Sequence, residues 1–284
     1  VGEGIKLSSV EQLETKDAKV VFQGMKGAYS YTAMHTFFGE KVNSRHVETF
    51  RDAMECLKKG DATYAVLPIE NSSAGIVNDI FDLLAEYDNY IVGEVIVPVR
   101  HVLLGVKGAN ISDIKKVYSH PQALMQCKNF LDEHREWEKI PYLNTAVAAA
   151  MISQEQDKTK AAIASEMAGE CYDLDVIADE IYYSENNSTR FIIVTNQKIF
   201  LKDASRISIC FEGIHKAGSL YNLLSHLIYN GLSMTKIESR PIEGKDFEYH
   251  FFIDIEGNLE DSSVLNALSG LSYEAKNLKI LGNY

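Results

Sequence analysis

Lys19-Val-Val-Phe-Gln-Gly-Met-Lys-Gly-Ala-Tyr-Ser30 reads as a strand, a tight turn and the start of a helix. The apolar run ending at Gly24 suits a buried strand, and two glycines let the backbone of the turn approach a ligand closely. The same alternation continues outward. His46–Thr49 is a strand edge, and Thr49-x-x-Asp52 resembles a capping box opening a helix to Lys59. Tyr64–Leu67 is a strand ended by Pro68. Ile80, Leu83, Leu84 and Tyr87 fall at helical spacing within Val77–Tyr87. Ile91–Leu104 is long and β-rich. Val117-Tyr118, Lys139–Leu143, Ala161–Ala164 and Phe191–Thr195 read as further strands, Gln122–Glu133 and Thr145–Ser153 as helices. This order implies an α/β fold, an open sheet with helices on its faces. The strands are short, so two lobes are expected, residues 19–100 with 181–197 and residues 101–180. Ile91–Leu104 would cross between them and Ile181–Phe191 would return.

After a polar break at Lys198–Arg206 the order changes to strand, helix, strand, strand, helix, strand, over Arg206–Glu212, Gly218–Tyr229, Met234–Arg240, Phe247–Ile255, Ser262–Ser272 and Asn277–Leu281. That is the ferredoxin-like βαββαβ arrangement, and residues 205–284 are expected to form their own domain. Residues 1–18 read as a polar lead-in or linker. A length of 284 residues suits two such units.

The chain carries 28 basic and 40 acidic residues, a net charge of −12. General affinity for nucleic acid or an anionic membrane needs a basic face, so both partners are excluded. No apolar run of about 18 residues spans a membrane. The N-terminal stretch shows no export signal, which makes the expected location cytoplasmic. Cys56, Cys127, Cys171 and Cys210 are far apart and read as buried thiols in a reducing compartment. There is no P-loop, dinucleotide fingerprint, zincin helix or nucleophile elbow, and no dense ligand group that would require a metal.

Four polar clusters fall at strand–helix junctions, where open α/β sheets bind ligands. They are Gln23–Ser30, Pro68-Ile-Glu-Asn-Ser-Ser-Ala-Gly75, Ser119-His-Pro-Gln122 and Asn186-Asn-Ser-Thr-Arg-Phe191. Ser119 can cap the next helix, with Pro121 in its first turn. Arg190 can hold a carboxylate bidentately, and Thr189 can donate one hydrogen bond. Each cluster also has a plain structural reading as a turn, cap or surface pair. Together they suit a small polar anion and proton-driven chemistry without a cofactor.

Taken in order, Gln23-Gly-x-x-Gly-Ala-Tyr-Ser30, Glu70-Asn-Ser-Ser-x-Gly75, Ser119-His-Pro-Gln122, Asn144-Thr145 and Asn187-Ser-Thr-Arg-Phe191 resemble the motifs of prephenate dehydratase. The C-terminal segment resembles the ACT regulatory domain that usually follows. Glu238-Ser-Arg-Pro241 is similar to that domain's phenylalanine motif and Gly218-Ser-Leu220 to its first-helix turn, with Ala217 and Ser219 where Pro and Ala are usual. The resemblance covers about 260 residues and implies a bilobal catalytic domain of the periplasmic-binding-protein type, residues 19–197. Many members also carry a helical chorismate mutase domain. Nothing before Lys19 could form one, so the chain is expected to be a monofunctional enzyme or the C-terminal portion of a bifunctional one.

The resemblance assigns Thr189 the central catalytic role. A threonine hydroxyl is a poor acid at neutral pH, so Thr189 is read as a positioned donor to the leaving hydroxyl of prephenate. Glu70 or His120 would be the proton source, and Asn71 and Gln122 would orient the substrate. Arg190 is expected on the pyruvyl carboxylate. Phe191, Ser72, Ser73, Ser119, Asn144, Thr145, Asn187, Gly27, Tyr29 and Ser30 are the remaining substrate-site candidates. Phenylalanine is expected at Gly218, Ser219, Leu220, Glu238, Ser239, Arg240 and Pro241, between subunits of a homodimer or homotetramer. The motifs fit arogenate dehydratase equally. A two-lobed sensor without catalysis is the alternative from another class.

Overall fold

The computed structural model describes residues 7–184, 186–213 and 216–284. The first six residues of the expected lead-in lie outside them. Most strands belong to two sheets. In the five-stranded sheet the order is Asp175–Ala178, Val102–Gly105, Lys160–Ala164, Lys116–Ser119, Glu138–Pro141. The ten-stranded sheet runs Met234–Pro241, Tyr249–Glu256, Arg206–Glu212, Lys276–Asn283, Tyr90–Pro98, Ser188–Thr195, Tyr64–Asn71, Lys19–Gln23, Asn43–Val47, with Gly75–Ile76 paired onto Tyr64–Asn71. The fold is thus α/β with two lobes. The chain passes from one sheet to the other between Pro98 and Val102 and returns between Ala178 and Ser188.

Central strands of the large sheet are apolar on both faces. Tyr64, Ala65, Val66 and Leu67 are fully buried, as are Ile192, Ile193 and Val194. Helices must then cover both sides. Helix Tyr29–Phe38 packs on one face with Phe22, Val66, Phe191 and Ile193. Helices Phe50–Lys59 and Asn78–Glu86 pack on the other with Leu67, Ile192 and Val194. The capping box at Thr49 forms with both of its reciprocal bonds to Asp52. Residues 206–283 have the βαββαβ order, with antiparallel strands and both helices, Ser219–Tyr229 and Ser262–Glu274, packed in one core.

Four local expectations change. Ser8–Val10, inside the expected linker, is a strand parallel to Ile199–Leu201, which lies inside the expected polar break. Leu13 packs on the core and the Glu14 carbonyl accepts from the Tyr64 hydroxyl, so this segment belongs to the first lobe. The helix expected over 122–133 is two helices, Pro121–Gln126 and Lys128–Glu133, parted where Cys127 leaves helical geometry. The C-terminal sheet is not separate. Gly282 pairs with Ile91, joining it to the catalytic lobe. A Cβ at Gly282 would lie 2.2 Å from the Ile91 carbonyl oxygen, so only glycine lets the two strands meet here.

Candidate active site

Lys19–Gln23 and Tyr64–Asn71 run parallel, so Gln23 and Asn71 end at the same edge of the large sheet. The antiparallel strand Ser188–Thr195 begins there, with Thr189 in register with Asn71. In the small sheet Lys116–Ser119, Glu138–Pro141 and Lys160–Ala164 are parallel. Their ends launch the helices that start at Pro121, Thr145 and Glu166. The two edges face each other. The Ser165 hydroxyl donates to the Gly27 carbonyl at 2.7 Å, and the Tyr172 hydroxyl donates to the Lys26 carbonyl at 2.8 Å. Gly27 has φ +84°, and a Cβ on it would sit 2.7 Å from Ala168 Cα. A cleft bounded by the carboxyl ends of strands from two lobes is where such folds bind ligands.

The amide orientation of Asn71 follows from its neighbours. Its Oδ1 accepts from the backbone N–H of Ser73 and Ala74, both at 2.9 Å. Nδ2 therefore points the other way, 2.9 Å from Thr189 Oγ1 and 3.0 Å from Asn187 Oδ1. Asn71 donates to Thr189, and the Thr189 proton is left for another acceptor. Accepting that bond polarises the O–H and makes it a stronger donor. Ser72 secures the loop: its hydroxyl accepts from Ser188 N–H and donates to the Asn186 carbonyl. Ser73 is exposed beside it.

Helix starts supply most of the other polar groups. Asn144 caps its helix through Oδ1 on Val147 N–H, with Thr145 as the first helical residue. His120, not Ser119, caps Pro121–Gln126: its Nδ1 accepts from Gln122 N–H at 3.2 Å. Ser119 is fully buried and donates to the Ile163 carbonyl, tying two strands. Ser30 is buried and donates to the Gln23 carbonyl, closing the turn. These bonds correct the expectation that Ser119 and Ser30 face substrate. Gly27 serves lobe packing as well.

Tyr29 takes part in a contact the sequence did not reveal. Its hydroxyl is 2.9 Å from the Arg100 carbonyl and 3.0 Å from His101 Nδ1, while His101 Nε2 is 2.7 Å from Gln126 Oε1. His101 and Gln126 are buried. This network links the first lobe's helix, the crossing segment and the second lobe's helix. Burial pushes the His101 pKa down and, with Cys127 and Tyr182 nearby, the Tyr29 pKa up. The sole sequence signal was a histidine at the joint of the crossing stretch.

The largest correction concerns Arg190 and Glu70. Side chains alternate along a strand. Thr189 and Phe191 share one face, Arg190 and Ile192 the other. Arg190 is 9 % exposed and turned toward the C-terminal unit. Its Nε donates to Glu94 at 2.7 Å, Nη1 to Asp254 at 3.0 Å and Nη2 to the Tyr284 hydroxyl at 2.7 Å. Burial opposes its charge, yet Tyr284, Asp254 and Glu94 together raise its pKa. Glu70, in register with Arg190, is salt-bridged to Lys236 at 2.6 Å. Neither side chain joins Thr189; both are engaged on the opposite face of the strand pair, with each other at 3.6 Å and with Asp254 and Lys236. Phe191 is 3 % exposed within the apolar core and does not line a binding surface.

The expected phenylalanine residues fall on two neighbouring elements, with Ser239 in register with the cavity-lining Phe251. Ser219 and Leu220 line a cavity of about 440 Å³ with Gly213, Leu223, Tyr249 and Phe251, next to the turn at Gly218. Glu238–Pro241 end the edge strand. Arg240 is bidentate to Asp82 of the catalytic lobe, at 2.9 and 2.7 Å, and is not free for a ligand. Glu238 lies 3.5 Å from Lys236, and Pro241 lines a different cavity facing the catalytic lobe. No group of three His, Cys, Asp or Glu among the described residues could hold a metal ion, and no helix among them is long and apolar enough to cross a membrane.

Fold and site define a two-lobed α/β protein with a neutral hydrogen-bonding cleft and an appended βαββαβ unit. Residues 20–199 match the family model for prephenate dehydratase. The chain is 36 % identical over 274 residues to a bifunctional chorismate mutase/prephenate dehydratase of Enterobacter agglomerans, covering 94 % of this chain and 70 % of that protein. The prephenate dehydratase of Arthrobacter aurescens, solved in complex with L-Phe, superposes with a TM-score of 0.84 at 29 % identity, over 94 % of this chain and 89 % of that one. A quorum-quenching acylase, GqqA, superposes with a TM-score of 0.85 at 31 % identity, over 93 % and 96 %. This chain belongs to the prephenate dehydratase family.

Proposed function

We propose that prephenate binds in the cleft between the two facing edges and that Thr189 passes its hydroxyl proton to the departing allylic hydroxyl. The bond from that oxygen to the ring breaks and the oxygen leaves as water. The ring carboxylate leaves as CO2, and its bonding pair completes the aromatic ring of phenylpyruvate. Aromatisation drives the step, which consumes one proton and needs no redox cofactor. With Glu70 salt-bridged on the far face, His120 is the residue to replenish Thr189. It does so as the imidazolium, which gives one proton to the threonine and returns to the neutral ring whose Nδ1 accepts from Gln122 N–H. Amides at the helix starts after Gly27, His120 and Asn144 hold the pyruvyl carboxylate in place of Arg190. The ring carboxylate is left without a cation, which favours its loss.

The bond from Asn71 Nδ2 to Thr189 Oγ1 carries this reading. A nucleophilic hydroxyl, as an acylase would require, needs a base to take its proton. Here the threonine oxygen accepts from an amide that cannot do so. The test is phenylpyruvate formation from prephenate, assayed beside arogenate, by the wild type and by Thr189→Ala and Thr189→Ser. Turnover lost in the alanine variant and partly kept in the serine variant supports the assignment. Near-normal turnover in Thr189→Ala removes it.

The βαββαβ unit acts as an ACT regulatory domain that binds L-phenylalanine. The Glu238–Ser239 strand borders the cavity beside Gly218, with Ser239 in register with the cavity-lining Phe251, and the complete site would be assembled between subunits of a homodimer or homotetramer. Support comes from the relative solved with L-Phe. A cytoplasmic location agrees with the four free thiols. Calorimetry and sedimentation with and without millimolar phenylalanine test this; absence of heat and of any activity change rejects it.

A further inference from the structure

We propose that Asp254 and Tyr284 of the C-terminal unit are positioning residues for the dehydration, acting through Arg190 on the strand that carries Thr189. This rests on the role given to Thr189 above.

Arg190 is the backbone neighbour of Thr189 and is tied at three corners of its guanidinium. One tie, Glu94, comes from the adjacent strand of the catalytic lobe. The other two, Asp254 and the Tyr284 hydroxyl, come from residues 64 and 94 positions away in the C-terminal unit. Those two are themselves fixed. Ser208 donates to Asp254 Oδ1, and its oxygen is 2.9 Å from the Tyr284 hydroxyl. Arg206 lies 3.4 Å from Glu94 and 4.0 Å from Asp254, and Arg190 also lies 3.6 Å from Glu70, so two arginines face three carboxylates. The three guanidinium nitrogens of Arg190, both carboxylate oxygens of Asp254 and the Tyr284 hydroxyl all have partners, the condition under which a buried charged network specifies one geometry.

The partner strand is held the same way. Glu70, the backbone neighbour of Asn71, is held by Lys236 of the C-terminal unit. Both members of the Asn71–Thr189 pair are therefore one peptide from a side chain gripped by that unit. A dehydration that depends on one hydrogen-bond direction is sensitive to shifts well under 1 Å. The C-terminal unit is in this view a wall of the active-site scaffold, whatever ligand it also binds.

The test uses the full chain with Tyr284→Phe, which removes one hydroxyl and keeps the ring, and Arg190→Lys, which keeps the charge and loses the fork. Tyr284→Phe is expected to lower kcat about three- to tenfold, with KM for prephenate within about twofold. In the Arg190→Lys background the same change is expected to lower kcat no further, because its effect passes through the guanidinium. Amide exchange at Ser188–Arg190, which needs no substrate, is expected to quicken in Tyr284→Phe while Lys19–Gln23 stays unchanged. Losses that multiply in the double variant, or a melting temperature lowered with kcat and exchange intact, overturn the proposal in favour of plain domain cohesion. A raised KM with unchanged kcat overturns it in favour of substrate contact by Arg190. A wild type inactive on prephenate defeats the functional reading alone, and the exchange result then decides the proposal.

Discussion

Thr189 and Arg190 are consecutive residues with opposite surroundings. On the Thr189 face the partners are neutral: Asn71, Asn187 and the loop bound by Ser72. On the Arg190 face they are charged and come from both units, Glu70 and Glu94 from the catalytic lobe, Asp254 and Lys236 from the C-terminal unit. The contrast shows how one strand serves two tasks. A neutral network can direct a proton without stabilising the carboxylate that must leave. A charged network holds two units in register because removing one partner leaves another charge unpaired.

Thr189→Ala should produce the largest effect, a loss of about a thousandfold or more in kcat with KM nearly unchanged, since the lost donor acts in the transition state. Steady-state phenylpyruvate assays read it. Asn71→Asp keeps the shape and reverses the hydrogen bond, so that Thr189 would donate to the carboxylate instead of to substrate. About a hundredfold loss in kcat is expected, and full activity would show that the neutral face need not be neutral. Gly27→Ala tests whether the lobes must touch. The added methyl meets Ala168 backbone at a left-handed φ, and a loss of about 1–3 kcal/mol in denaturant unfolding is expected.

The smallest effect is in pH. The folded-state pKa of His101 is depressed below its ordinary 6.5, chiefly by burial. The unfolded chain thus binds the proton first, and the stability from the neutral ring is present above pH 6.5 and lost as pH falls below it. His250, also depressed chiefly by burial, adds to the same slope. Unfolding free energy should rise as the pH goes from about 5.5 to about 7. His101→Gln should flatten part of that rise; an unchanged profile would place the whole effect at His250.

Much of the fold was legible because it is written in short-range patterns. Val20 to Phe22, Tyr64 to Leu67 and Phe191 to Val194 are apolar runs, and the βαββαβ order shows in the spacing of residues 206–283. Asn71 and Thr189 were legible as polar residues beside buried strands. Face was harder to read. Alternation says that Thr189 and Arg190 point opposite ways, but which face looks into the cleft depends on the C-terminal unit docking over the other. That docking rests on Asp254, Lys236 and Tyr284, each an ordinary residue in its own segment. His101 and Gln126 escaped for the same reason: their partners are 25 to 72 residues distant.

The junction at Gly282 and Ile91 has a practical consequence. Tyr90–Pro98 is flanked by Ser188–Thr195 on one side and reached by Lys276–Asn283 on the other. Trimming the chain after residue 200 would remove the pairing at Ile91 and leave the nine-residue strand, with Ile96 already exposed, without a partner strand on that side. Such an edge recruits strands from other molecules. A truncated catalytic fragment is therefore expected to precipitate or form ladders of copies before it reports on catalysis, and light scattering would detect this directly.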